Sequence, residues 1–168
     1  MAIVASAEAG LQAASRATIL QLRAPSLTAA QLEREANELV ARSPVPVLIS
    51  SRIDVALACG ASGVNLPERD VATSDARKLV GDRLLGRSAH SLDAAVQAQA
   101  GGADYVIYGP VWQSASHPDV APVGLESLER IAKALHVPVI AIGGLTEERI
   151  EQCRRAGAAG YAAIRMFA

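Results

Sequence analysis

The sequence has few aromatic residues, few cysteines and no excess of charge of either sign. Phe, Trp and Tyr make up 3% of its 168 residues, whereas hydrophobic residues as a whole make up 51%. A core of small aliphatic side chains suits helices packed closely on a parallel sheet better than a β-sandwich. A charged share of only 20% with so many apolar residues excludes a disordered chain.

The two cysteines, Cys59 and Cys153, lie far apart and do not have the spacing of a metal site. We expect both to be reduced and to pack as small apolar side chains, with no metal bound. The net charge is −1 and no run of basic residues occurs. This balance excludes a nucleic-acid-binding protein that follows the phosphate backbone with a basic patch.

Long apolar segments are also missing. No stretch approaches the ~18 apolar residues of a membrane-spanning helix. Residues 1–5 have neither the basic flank nor the length of a signal peptide. We therefore expect a cytoplasmic protein that has no membrane partner.

Short β-branched runs alternate with Ala- and Leu-rich segments of helical period. This alternation predicts repeated βα units and a parallel sheet, in one domain over residues 1–168. Strands are predicted at residues 18–22, 46–49, 63–66, 84–86, 105–108, 137–142 and 161–164, with a first strand left to residues 2–5. Helices are predicted at residues 6–16, 28–41, 54–59, 73–80, 91–100, 125–135 and 147–156. A (β/α)8 barrel typically needs ~200 residues or more, so the fold is either a barrel trimmed at both ends or an open doubly wound sheet.

The most informative motif is an apolar strand that ends in two glycines. Residues 139–142 are four apolar residues in a row, as in a strand covered on both faces, and Gly143 and Gly144 follow them. Glycines let the backbone approach an anion, and Thr146 is placed to cap a helix whose first N–H groups attract phosphate. A second small-residue strand follows at residues 160–164, and the loops after strands seven and eight of such a barrel jointly bind phosphate. The alternative is an ordinary strand–turn–helix connection.

Six motifs at strand ends together resemble the thiamine phosphate synthase and thiazole tautomerase (TenI) family over nearly the whole chain. They are Gln21-Leu22-Arg23, Ser50-Ser51-Arg52-Ile53-Asp54, Gly63-Val64-Asn65-Leu66, Gly86-Arg87-Ser88-Ala89-His90-Ser91, the segment 103–111, and Ala141-Ile142-Gly143-Gly144. The resemblance implies an α/β fold, a TIM-type (β/α)8 barrel, with its site at the C-terminal ends of the strands. General experience of barrel enzymes points to the same edge.

The resemblance also implies roles for individual residues. Arg23 is expected to carry charge toward a phosphate or pyrophosphate, Gln21 to contact the pyrimidine or thiazole ring, and Ser88 to donate to the pyrophosphate. Asn65, Ser114 and Ser116 complete the expected substrate-binding set. The thiazole phosphate is expected on the backbone N–H groups of Gly143, Gly144, Ile164 and Arg165.

The chain departs from the family pattern where the synthase holds magnesium and pyrophosphate. Ser51 stands at the position of the first acidic ligand, which leaves only Asp70 as a carboxylate for magnesium. Pro25 and His117 stand where the pattern has lysines. These losses remove charge that would stabilise a leaving pyrophosphate, and they favour the tautomerase branch, whose reaction needs no metal.

We therefore expect a thiazole tautomerase-like enzyme of thiamine biosynthesis that binds a thiazole phosphate, uses no cofactor and forms a homodimer. The proton-transfer group is His117 or His90, because Pro110 occupies the histidine position of one branch of the family. Two alternatives stay open. One is thiamine phosphate synthase, which joins a pyrimidine pyrophosphate to the thiazole phosphate and for which Asp70 would bind magnesium. The other is a non-catalytic phosphate-binding barrel with a regulatory role.

Overall fold

The chain folds into a barrel of eight parallel strands surrounded by seven helices over the residues described, which are 1–114 and 120–167 of the computed structural model. Each strand pairs with the next one along the chain. The strands are β1 (Ala2–Val4), β2 (Leu20–Leu22), β3 (Val47–Ser50), β4 (Gly63–Leu66), β5 (Leu84–Ala89), β6 (Tyr105–Tyr108), β7 (Val139–Ile142) and β8 (Gly160–Ala162). The helices are α1 (Ala7–Ala13), α2 (Ala29–Arg42), α3 (Ile53–Ala58), α4 (Thr73–Val80), α5 (Leu92–Ala100), α6 (Gly124–Ala134) and α7 (Glu147–Arg155).

The first and last strands meet, which excludes the open doubly wound sheet. Ala2 forms a parallel bridge with Ala163, and the N–H of Ile3 donates to the Ala163 carbonyl at 2.9 Å. The N-terminal ammonium group donates to the Tyr161 carbonyl at 2.8 Å. The expected barrel is confirmed. Its first strand is the short segment expected at the N-terminus, and no helix follows β8 within the described residues.

Side chains alternate between the barrel interior and the surrounding helices along each strand. In β6, Tyr105 and Ile107 pack inside the barrel against Ile3, whereas Tyr108 packs outward and its hydroxyl lies 2.7 Å from the Ser127 hydroxyl of α6. At the C-terminal ends of the strands the inward-facing residues include Gln21, Asn65 and Ser88 as well as Ile107 and Ile142, and they leave a cleft unfilled. This edge of the barrel is therefore open to a ligand.

Local sequence signals set where the elements begin. Thr28 and Gln31 form the predicted capping box of α2, and Ser91 caps α5 by accepting from the Ala94 N–H. β3 and β7 begin one and two residues later than predicted, after Pro46 and Pro138, because proline has no N–H to give to a sheet ladder. Each proline carbonyl still accepts, from Leu20 and Val106 respectively.

No helix among the described residues is long and apolar enough to cross a membrane. Both cysteines are free, as expected. Cys153 is one of the buried residues of α7, while Cys59 is only half-buried at the end of α3.

Candidate functional site

A cleft of about 900 Å³ opens at the C-terminal edge of the barrel. It brings together residues from all eight strands or from the loops that follow them. Those from the first half of the chain include Gln21, Arg23, Ser50, Asn65, Glu68, Arg69, Ser88 and His90, and those from the second half include Gly109, Pro110, Ser114, Gly143, Gly144, Ile164 and Arg165. The expected substrate-binding and phosphate-binding residues within the described part of the chain therefore share one cleft.

The side of the cleft formed after β7 and β8 presents backbone N–H groups. We call it the glycine end; it consists of Gly143, Gly144, Ile164 and Arg165. Gly143 and Gly144 have φ values of +97° and +64°, and none of the four N–H groups donates to a described residue. Successive backbone N–H groups in a turn can form a concave anion-binding surface.

The glycine turn is held by the loops packed behind it. The Trp112 N–H donates to the Gly143 carbonyl at 3.2 Å, and Nη1 of Arg149 donates to the Gly144 carbonyl at 2.6 Å. A Cβ on Gly144 would come within 2.6 Å of the Gln113 carbonyl oxygen, so only glycine fits there. The Thr146 hydroxyl accepts from the Arg149 N–H and so caps α7 as predicted.

Two buried amides form the floor of the cleft. Gln21 and Asn65 are each 2% exposed, and the side-chain oxygen of each has no hydrogen-bond donor among the described residues. Asn65 Nδ2 donates to the Ser88 hydroxyl at 3.2 Å. A buried acceptor without a donor costs about 1–3 kcal/mol. These oxygens therefore favour a ligand that carries N–H or O–H donors.

The loop between β4 and α4 forms the rim on the other side of the cleft. The Arg87 guanidinium lies beneath this loop and donates to the carbonyls of Glu68, Asp70 and Val71 at 2.6–3.1 Å. Burial lowers the pKa of Arg87, and the carboxylates of Asp70 and Glu68 oppose this shift. The Ser51 hydroxyl donates to Asp70, which fixes the far side of the loop.

His90 connects the rim to the end of β6. Its backbone N–H donates to Glu68 at 2.5 Å, and its Nδ1 lies 2.5 Å from the Gly109 carbonyl oxygen. Because a carbonyl only accepts, Nδ1 carries a proton. His117 and Ser116, the other candidates of this region, lie outside the described residues.

The site also contains three residues that the sequence interpretation missed. Arg69 lines the cleft from the β4–α4 loop, and Arg149 and Trp112 support the glycine end. The position of Arg69 close behind a predicted strand end was a usable signal. The contact between Arg149 and Trp112 joins two distant segments, and no local pattern indicates it.

No cluster of three or more His, Cys, Asp or Glu side chains suited to a metal ion occurs in residues 1–114 and 120–167. Asp70 is the carboxylate expected at such a site. Its Oδ1 accepts from the Val71 N–H at 2.7 Å and its Oδ2 accepts from the Ser51 hydroxyl. The oxygen atom that lies next to the Asp70 carboxylate is therefore a serine hydroxyl.

Comparison with known proteins identifies relatives over nearly the whole chain. The family model described as thiamine monophosphate synthase matches residues 2–167. The thiamine-phosphate synthase of Chloroflexus aurantiacus is 40% identical over 152 residues, covering 88% of this chain and 70% of that protein. The thiamine-phosphate synthase of Ruminiclostridium cellulolyticum is 34% identical, with 88% and 72% covered. The solved structure of thiamine phosphate pyrophosphorylase from Pyrococcus furiosus aligns with a TM-score of 0.87 and 26% identity, covering 97% of this chain and 84% of that one.

These relatives correct the functional expectation drawn from the sequence. The preferred interpretation as a thiazole tautomerase was wrong, because the relatives carry the name of the synthase, which was the alternative. The tautomerase interpretation gave too much weight to Ser51 and Pro25 as losses of function. The family itself was recognised correctly: the chain belongs to the thiamine monophosphate synthase family of thiamine-biosynthetic enzymes.

Proposed function

We propose that this chain is a thiamine phosphate synthase, a transferase that joins a pyrimidine pyrophosphate to a thiazole phosphate and releases pyrophosphate. The observation that carries the proposal is that one cleft combines unpaired N–H donors at the glycine end with arginine side chains on the opposite rim. Two anionic substrates need two such anion-binding regions, with the reacting atoms between them.

The glycine end suits the thiazole phosphate. A phosphate there accepts from the N–H groups of Gly143, Gly144, Ile164 and Arg165, and the positive end of the α7 dipole lies close behind. The Arg149 and Trp112 contacts hold the turn before any ligand arrives, so the site is formed in advance.

The amide floor suits the pyrimidine ring. The oxygens of Gln21 and Asn65 accept from ring substituents such as the amino group of an aminopyrimidine. Arg23, two residues after Gln21, and Ser88, which accepts from Asn65, also line the cleft and suit the diphosphate. Coupling requires that the methylene carbon between ring and diphosphate face the thiazole nitrogen in this arrangement.

The reaction is a substitution at that carbon. A bond forms from the thiazole nitrogen to the methylene carbon, the bond from that carbon to the diphosphate oxygen breaks, and its electron pair leaves with pyrophosphate. No proton is transferred in this step, so the side chains have to position the two rings and stabilise the departing charge. The absence of a histidine at Pro110 therefore does not argue against the reaction.

The residues present fit a magnesium ion that arrives with the diphosphate. Magnesium is commonly held by one or two carboxylates together with substrate phosphates, and Asp70 and Ser51 offer one carboxylate and one hydroxyl oxygen. When bound, the metal would neutralise charge on the leaving pyrophosphate.

The test is turnover by the purified chain with both substrates and magnesium. The proposal predicts thiamine phosphate, detected by mass spectrometry, and none when either substrate is omitted. Binding of both substrates without product would favour the non-catalytic barrel instead. A cytoplasmic location and a homodimer remain predictions, and light scattering tests the latter.

A further inference from the structure

Among the described residues three arginines line the cleft, and none of them is engaged by another described residue. Arg23 follows β2, Arg69 lies in the β4–α4 loop, and Arg165 follows β8. All three are exposed, and none donates to or pairs with a side chain or carbonyl of the described residues. The family resemblance already assigns substrate-binding roles to Arg23 and Arg165, whereas it assigns none to Arg69.

The loop that carries Arg69 is held on both sides of that residue. Arg87 donates to the carbonyls of Glu68 and Asp70, the residues immediately before and after it. The side chains of these same two neighbours accept from the His90 N–H and the Ser51 hydroxyl. The backbone of Arg69 is therefore fixed at the rim while its guanidinium stays available.

The carboxylates of Glu68 and Asp70 flank Arg69, and the buried Arg87 guanidinium beneath the loop acts on both of them. Glu68 accepts from the His90 N–H and Asp70 accepts from the Ser51 hydroxyl, and neither carboxylate pairs with Arg69. Arg23 lies two strands away, which places the ends of β2 and β4 about 10 Å apart. Two flexible guanidinium groups at that separation can both reach an anion held between them, above Ser50.

We propose that Arg69 binds the diphosphate of the pyrimidine substrate and so contributes positive charge on the rim formed by the β4–α4 loop. The inference rests on the proposed function. A guanidinium pairs with diphosphate oxygens through two parallel hydrogen bonds, which a lysine ammonium group does not. Arg69 is then a specificity residue for the diphosphate substrate, with no part in binding the thiazole phosphate.

The experiment measures the affinity of the full chain for inorganic pyrophosphate by calorimetry, with and without magnesium. The variants are Arg69→Gln, Arg69→Lys and the control Arg34→Gln, which removes an exposed arginine of α2 away from the cleft. We expect Arg69→Gln to weaken pyrophosphate binding by roughly ten- to a hundredfold, Arg69→Lys by less, and Arg34→Gln not at all. An affinity of Arg69→Gln equal to that of Arg34→Gln overturns the inference.

Steady-state kinetics separate this inference from the proposed function. We expect Arg69→Gln to raise KM for the pyrimidine substrate and to leave KM for the thiazole phosphate unchanged. If the wild-type chain turns over and Arg69→Gln has unchanged KM values, the role of Arg69 is wrong and the proposed function stands. If the wild-type chain forms no thiamine phosphate although it binds pyrophosphate through Arg69, the proposed function is wrong.

Discussion

Arg149 and Gly144 are joined by a hydrogen bond of 2.6 Å, from Nη1 of the guanidinium to the glycine carbonyl oxygen. The same guanidinium lies over the Trp112 ring, with Cζ 5.1 Å from the ring centroid. One side chain of α7 thus connects the loop after β6 to the glycine turn after β7. This connection turns the Gly144 carbonyl toward the protein and leaves the neighbouring N–H groups for a ligand.

Replacing Arg149 with methionine removes this connection without burying a charge. We expect KM for the thiazole phosphate to rise by about tenfold, which is the effect expected from the loss of one charge-assisted hydrogen bond. The fold should be retained. Arg154→Met is the matched control, because Arg154 is an exposed residue of the same helix that pairs with Glu151 and does not line the cleft. Equal KM values in the two variants would contradict the role given to Arg149.

Gly144→Ala and Gly60→Ala separate backbone strain from loss of the binding site. Both glycines have similar φ values, +64° and +67°, but a Cβ at Gly60 meets nothing within 4 Å. We expect each change to lower the free energy of unfolding by about 1–2 kcal/mol through strain, with a further loss at Gly144 from overlap with Trp112 and Gln113. Phosphate binding, measured by calorimetry, should be lost only in Gly144→Ala. Loss in both variants would show that strain alone explains the effect.

Ser51→Asp should tighten the binding of magnesium. Ser51 has φ +67°, a conformation that Asp and Asn adopt more readily than Ser, so Ser51→Asn is a control of equal backbone fit. A carboxylate beside Asp70 is expected to lower the magnesium concentration for half-maximal rate by roughly tenfold relative to Ser51→Asn. In the wild-type chain, a chelator should reduce the rate. Identical magnesium titrations of Ser51→Asp and Ser51→Asn would exclude Asp70 as a ligand.

Cys153 should be protected from alkylation in the folded protein. Burial raises the pKa of its thiol from an ordinary value of 9.0 to about 11, so the reactive thiolate is scarce at pH 8. Burial also raises the pKa of Cys59, which is only half-buried and should be labelled faster. Because the raised pKa favours the neutral thiol, the stabilisation by Cys153 is full below about pH 9 and is lost as the pH rises toward 11. Peptide mass spectrometry after iodoacetamide treatment checks the order of labelling, and equal rates at both cysteines would contradict it.

The fold could be predicted because its signals are local. Thr28, Ser91 and Thr146 each cap the helix that the sequence assigns to them, and the alternation of strands and helices gives the barrel. The glycine end could be located because Gly143 and Gly144 follow a strand directly. The position of Arg69 behind a predicted strand end placed it near the cleft, but its relation to Arg23 depends on β2 and β4 both pairing with β3. Counting the lysines lost at Pro25 and His117 therefore missed a cation that lines the cleft from the β4–α4 loop.

The most direct test of the proposed function is the ratio of thiamine phosphate formed to pyrophosphate released in a single reaction of the purified chain. A substitution at the methylene carbon predicts that the two products appear together in equal amounts and that neither appears without the thiazole phosphate. Pyrophosphate released without thiamine phosphate would show hydrolysis in place of coupling and would contradict the assignment as a synthase.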